Sequence, residues 1–135
     1  MNYTVELKDG VAVVHCKPAF TYEDGVEALT GIVEADWRED MLHLLVVDEG
    51  STFSPTRDGI KVLAGLMDRI LEKDGARIAI VVTRIVHYGI GRIIEARAGH
   101  GGQVRVFLKE EAARQWLGMS GSGEEIPTDE VRSTG

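Results

Sequence analysis

The chain holds a single cysteine, Cys16. No intrachain disulfide can form, and such usage fits a reducing compartment. No apolar run approaches the roughly 20 residues that a membrane span needs. The N-terminus, "MNYTVELKDG", has neither a basic segment nor an apolar one, so it does not read as a secretory signal. Basic clusters are missing too, and the formal net charge is -7. A surface that tracks phosphates would carry a basic stripe, so neither nucleic acid nor an anionic membrane is an expected partner. The histidines His15, His43, His87 and His100 show no metal-ligand spacing. His15 and Cys16 are neighbours and in a strand would point to opposite faces. No metal, no cofactor and no internal repeat is implied. The expected location is the cytoplasm.

What is present reads as one globular domain. The 135 residues are 44% hydrophobic and 27% charged, and a chain of this size buries roughly two thirds of its unfolded surface without staples. "YTVELKDGVAVVHC" is two alternating runs around Lys8-Asp9-Gly10, the pattern of a β-hairpin. Thr21 and Asp24 have the spacing of a capping box and open a helix through Val26, Leu29, Ile32 and Val33. "MLHLLVVD" and "RIAIVV" are short, nearly continuous apolar runs, suited to strands buried on both faces of a parallel sheet. Between them Ile60, Leu63, Met67, Ile70 and Leu71 form a helical stripe, with Gly75 expected at its C-terminal end. A further helix with Ile90, Ile93, Ile94 and Ala98 on one side, a strand "QVRVFL" and a short helix "KEEAARQWL" complete the order β-β-α-β-α-β-α-β-α. That order predicts an α/β fold with a mostly parallel, mixed five-stranded sheet and four helices. The domain is expected over residues 1–117. Residues 118–135, rich in Gly, Ser, Glu and Thr, are expected to form a flexible tail.

The second half carries a family resemblance. "RIAIVV" followed by "YGIGRIIEA", then "VRVFLKEEAARQWL", resembles the late strand, Gly-x-x-Arg helix, strand and terminal Ala-x-x-Trp-Leu helix of the STAS domain, in particular the SpoIIAA-like proteins. "LLVVDEG" resembles the family's third strand with its terminal Asp, and the likeness extends over residues 3–117. It implies a STAS-type fold and a non-catalytic role in protein–protein regulation, with Ala113, Trp116 and Leu117 as core anchors. Among anti-sigma-factor antagonists of this family, a Ser in an Asp-Ser-x-Gly motif at the start of the second crossover helix is phosphorylated. This chain has Ser54-Pro55-Thr56-Arg57-Asp58-Gly59 there: the Gly is present, but no Asp-Ser pair precedes it.

Several residues carry candidate chemistry, each beside a plainer role. Ser54 followed by Pro55 is what a helix start favours, Ser as cap and Pro in the first turn. Ser54 or Thr56 is also the place for a phosphorylation switch, with Arg57 near. Gly89-x-Gly91, within Tyr88 to Arg92, hints at a phosphate-binding turn, although Ile94 takes the third glycine position; the plainer role is a tight strand-to-helix turn. Asp48, Thr83 and Lys109 each follow a core strand, as in a phospho-receiver, but His15-Cys16-Lys17 stands where an acidic Mg²⁺-binding pair is needed. No nucleophile–base pair is evident, so the chain is not expected to be an enzyme. A protein partner, with a homodimer as one form of it, is the leading expectation. The alternative is a small apolar or anionic ligand, lipid-like or a nucleotide, near Tyr88, Gly89, Gly91 and Arg92, with Asp48 as a further contact.

Overall fold

Asp9 and Gly10 both take positive φ, 53° and 80°. A two-residue turn of this hand matches the twist of the strands it joins. It links β1 (Tyr3–Lys8) to β2 (Val11–Cys16), which pair antiparallel. The computed structural model describes residues 1–99 and 101–119. β3 (His43–Asp48), β4 (Ile78–Val82) and β5 (Val104–Phe107) follow in parallel, and the sheet order is β1-β2-β3-β4-β5. The crossovers are α1 (Tyr22–Val33), α2 (Arg57–Ile70) and α3 (Ile85–Arg97); α4 (Glu110–Trp116) comes last. The expected class, strand count and element order are all found.

Each crossover advances one strand in the same direction, so a constant handedness puts α1, α2 and α3 on one face of the sheet. There Leu29, Ile32, Leu63, Met67, Ile70 and Ile94 bury against Ala12, Val14, Leu44, Ile78, Ile80 and Val104. The opposite face presents Val11, Val13, Leu45, Val47, Ala79 and Val81, which pack with Ala113 and Leu117 at α4. β4 is buried at every residue, which is why its sequence does not alternate. The capping box of α1 forms as expected: Thr21 N–H donates to Asp24 Oδ2 at 2.9 Å, and Asp24 N–H donates to Thr21 Oγ1 at 3.4 Å.

Several local expectations are corrected. α2 is capped by Thr56, whose Oγ1 accepts from Gly59 N–H at 3.0 Å; Ser54 and Pro55 lie before the helix. Thr56 stands at the right spacing to satisfy an otherwise unpaired N–H of the first turn, and Ser54 does not. At its other end α2 stops at Ile70, and Gly75, at φ 83°, serves the turn that follows. α3 begins at Ile85, so the Tyr88–Arg92 segment is helix and not a turn. Its buried residues are His87, Gly91 and Ile94, followed by Ala98, which leaves Ile93 47% exposed instead of in the core. Trp116 is only half-buried, while Ala113 and Leu117 are buried as expected. Beyond α4, Gly118 takes φ 77°, Gly118 N–H donates to Gln115 O and Met119 N–H donates to Arg114 O. This is a Schellman cap, and Met119 packs on the second cluster. The fold therefore continues two residues past 117. Residues 120–135 of the expected tail lie outside the described residues.

Candidate functional site

β3 ends in Asp48, and the chain must then turn to reach α2. The Asp48 carboxylate makes that turn. Oδ1 accepts from Gly50 N–H at 3.1 Å and from Ser51 N–H at 2.9 Å; Oδ2 accepts from the Ser51 hydroxyl at 2.9 Å. Such side-chain-to-backbone bonds are the usual way an Asp organises the residues just after it. Ser51 Oγ in turn accepts from Phe53 N–H at 3.2 Å. Gly50 takes φ 93°, a backbone geometry that favours glycine.

α3 holds the loop from the other side. His87 Nε2 lies 2.9 Å from the carbonyl of Phe53 and must carry its proton to donate there. His87 Nδ1 lies 3.2 Å from Asp48 Oδ2 and makes no hydrogen bond. Arg84, just before α3, donates from Nη1 to Ser51 O at 3.0 Å. The Phe53 ring meets the His87 ring edge-on at 6.1 Å, and Phe20 lies 5.8 Å from Phe53 on its other side. Asp48, Ser51 and His87 are 5%, 0% and 3% exposed, the buried polar side chains among the described residues.

The Ser51 hydroxyl bonds Asp48, and the His87 nitrogens face Asp48 and a backbone carbonyl, so Ser51 and His87 are not paired as a serine nucleophile and its histidine base would be. Cys16 is buried near Asp48, and burial first, then that carboxylate, pushes its thiol well up and away from reactive thiolate. A cavity of about 70 Å³ sits beneath the cluster, among Cys16, Phe20, Phe53, Met67, His87 and Ile90. Pockets for drug-sized ligands start near 300 Å³. What the cluster does is fix the 49–56 loop to the start of α3 with part-buried hydrogen bonds.

The expected site residues therefore separate. Asp48 belongs to the buried cluster and turns its carboxylate inward. Ser54 and Thr56 lie exposed on the 49–56 loop. Gly91 is buried against β5, Tyr88 is half-buried, and Gly89 faces open space. Arg92 is exposed and pairs with Glu95 at 3.0 Å. Ser51 and His87 were not among the expected site residues. The spacing of Asp48 and Ser51 signals the turn, but nothing local ties either residue to His87.

Among the described residues no group of His, Cys, Asp and Glu side chains could hold a metal ion, and no helix is long and apolar enough to cross a membrane. No protein-family model matches the chain, and no curated protein matches it. Among solved structures, the Bacillus cell fate determinant SpoIIAA in its phosphorylated form superposes with a TM-score of 0.58. The two share 16% identity, and the match covers 84% of this chain and 98% of that one. The likeness shows a SpoIIAA-type, STAS-like fold.

Proposed function

We propose that this SpoIIAA-type fold serves as a non-catalytic regulatory module that binds a protein partner in the cytoplasm. The partner docks where the 49–56 loop meets the first turn of α3. One observation carries this reading: Ile85 and Val86 are 89% and 55% exposed, side by side, next to a loop that hydrogen bonds tie to β3 and α3. A single exposed apolar residue is ordinary, but adjacent ones on a rigid element suit an interface. The small cavity beneath favours this reading over the small-ligand alternative.

The same loop offers a control point. The hydroxyls of Ser54 and Thr56 are exposed beside the proposed docking surface. A phosphate on either adds close to two negative charges and would change which partner docks without unfolding the domain. The neighbouring structure, SpoIIAA, is itself a phosphorylated form. Counting back from Gly59, the family's Asp-Ser-x-Gly would put Arg57 at the modified position, so in this chain a modification falls on its neighbours.

The test is to place a photo-crosslinker at position 85 of the full chain, identify the captured protein, and measure binding of that purified protein. Wild-type chain should bind it, Ile85→Asp should not, and Ser54→Asp or Thr56→Asp should alter affinity, with all variants shown to be folded. Equal binding by wild type and Ile85→Asp would overturn the docking surface. Equal binding by both Asp variants would leave the surface and remove the switch.

A further inference from the structure

At the opposite end of β4 and β5 lies an open cleft of about 510 Å³, lined by Gly75, Arg77, Gly101, Gly102, Arg105 and Trp116. Arg77 and Arg105 hold their guanidinium carbons 5.1 Å and 5.6 Å from the centre of the Trp116 ring. Arg77 Nη1 donates to Trp116 O at 2.7 Å; Arg105 also stacks on Phe107 at 5.3 Å. Neither arginine has a carboxylate partner among the described residues. A guanidinium has five N–H donors arranged to fit carboxylates, and stacking on an aromatic face orients it while leaving those donors available. Two such groups on one indole, with glycines at 75, 101 and 102 leaving the backbone open, form a surface for an acidic peptide.

The chain supplies such a segment at that point. Trp116 closes α4, and Met119 is fixed by the helix cap beside it. The stretch that follows, 120–135, holds Glu124, Glu125, Asp129 and Glu130 against Arg132 alone. Glu124 is five residues past Met119, a reach of up to about 17 Å at the extended rise per residue. We propose that the acidic segment 124–130 of this same chain occupies the Arg77–Trp116–Arg105 cleft. A tether this short gives a high effective concentration, so modest ion pairs suffice to populate the contact. An acidic partner would reach the cleft only by displacing that segment.

Two-dimensional NMR of the full chain tests this, with Trp116 and Trp37 indole N–H and Arg105 Nε–H as reporters. The variant Glu124→Gln, Glu125→Gln, Asp129→Asn, Glu130→Gln should shift the Trp116 and Arg105 signals and leave Trp37 in place. At 1 M salt, where the screening length falls to about 3 Å, wild type and variant should coincide. In an Arg77→Gln, Arg105→Gln background, neutralising the tail should no longer move Trp116. Superimposed Trp116 and Arg105 signals at low salt would overturn the proposal. So would shifts that fade on dilution, because they would place the segment on a second copy.

Discussion

Gly91 in α3 lies against Val106 in β5: a Cβ built on Gly91 would stand 2.7 Å from Val106 Cγ2 and 2.9 Å from its Cβ. Val106 is β-branched and buried in a strand, so it cannot swing aside. The missing side chain at position 91 is what lets the helix approach the sheet. Gly89, two residues earlier, has nothing within 4 Å of a Cβ. Gly91→Ala should therefore destabilise the protein by about 1–3 kcal/mol through overpacking. Gly89→Ala should stabilise it by about 0.5–1 kcal/mol through helix propensity alone. Urea midpoints of the two variants should move in opposite directions; a shared direction would show that this close approach is absent.

The cap of α2 separates two neighbouring hydroxyls. Thr56 accepts from Gly59 N–H, whereas Ser54 lies outside the helix. Thr56→Ala should cost about 0.5–2 kcal/mol, and Thr56→Asp should recover most of it, because Asp is also a good cap. Ser54→Ala should stay within about 0.5 kcal/mol of wild type. A larger loss for Ser54→Ala than for Thr56→Ala, in thermal or urea unfolding, would return the cap to Ser54.

Alkaline pH should weaken the fold through Tyr3. Burial first, then the hydrogen bond from its hydroxyl to Glu27 Oε1 at 2.9 Å, pushes the Tyr3 pKa from 10.0 to about 12. The folded value lies above the unfolded one, so this contribution is complete below pH 10 and is lost as pH rises toward about 12. Tyr3→Phe should be less stable than wild type near neutral pH by about 0.5–1.5 kcal/mol, the worth of one hydrogen bond. The difference should shrink across that alkaline window. A constant gap from neutral to alkaline pH would show that Tyr3 does not ionise differently in the folded chain.

At the acid end His43 acts in the other sense. Its Nδ1 accepts from Arg77 N–H at 3.1 Å, and burial, then the Arg77 charge, holds its pKa below the usual histidine value. The folded value lies below the unfolded 6.5, so stability from this bond is present above about pH 6.5 and is lost as pH falls through the folded value. His43→Gln should flatten the stability profile as pH falls below about 6.5. An unchanged slope there would remove His43 from the acid response.

The class, the element order and the hairpin were legible in the amino-acid sequence. These rest on local physics: alternation in β1 and β2, the turn chemistry of Asp9-Gly10, nearly continuous apolar runs in β3 and β4, and the capping box of Thr21 and Asp24. How the remaining residues combine depends on contacts between elements remote in sequence. Whether Gly89 and Gly91 mark a turn or a close-packed helix depends on Val106, which is remote in sequence. His87 meets Asp48 and Phe53 only after β3, α2 and β4 have been laid down in order. Trp116 reads as a core anchor from its neighbours Ala113 and Leu117, but its rim position is set by Arg77 and Arg105, which come from other strand ends. Periodicity reports which side of an element is apolar; which groups face one another across elements is fixed by packing, and one chain's local pattern does not encode that distance.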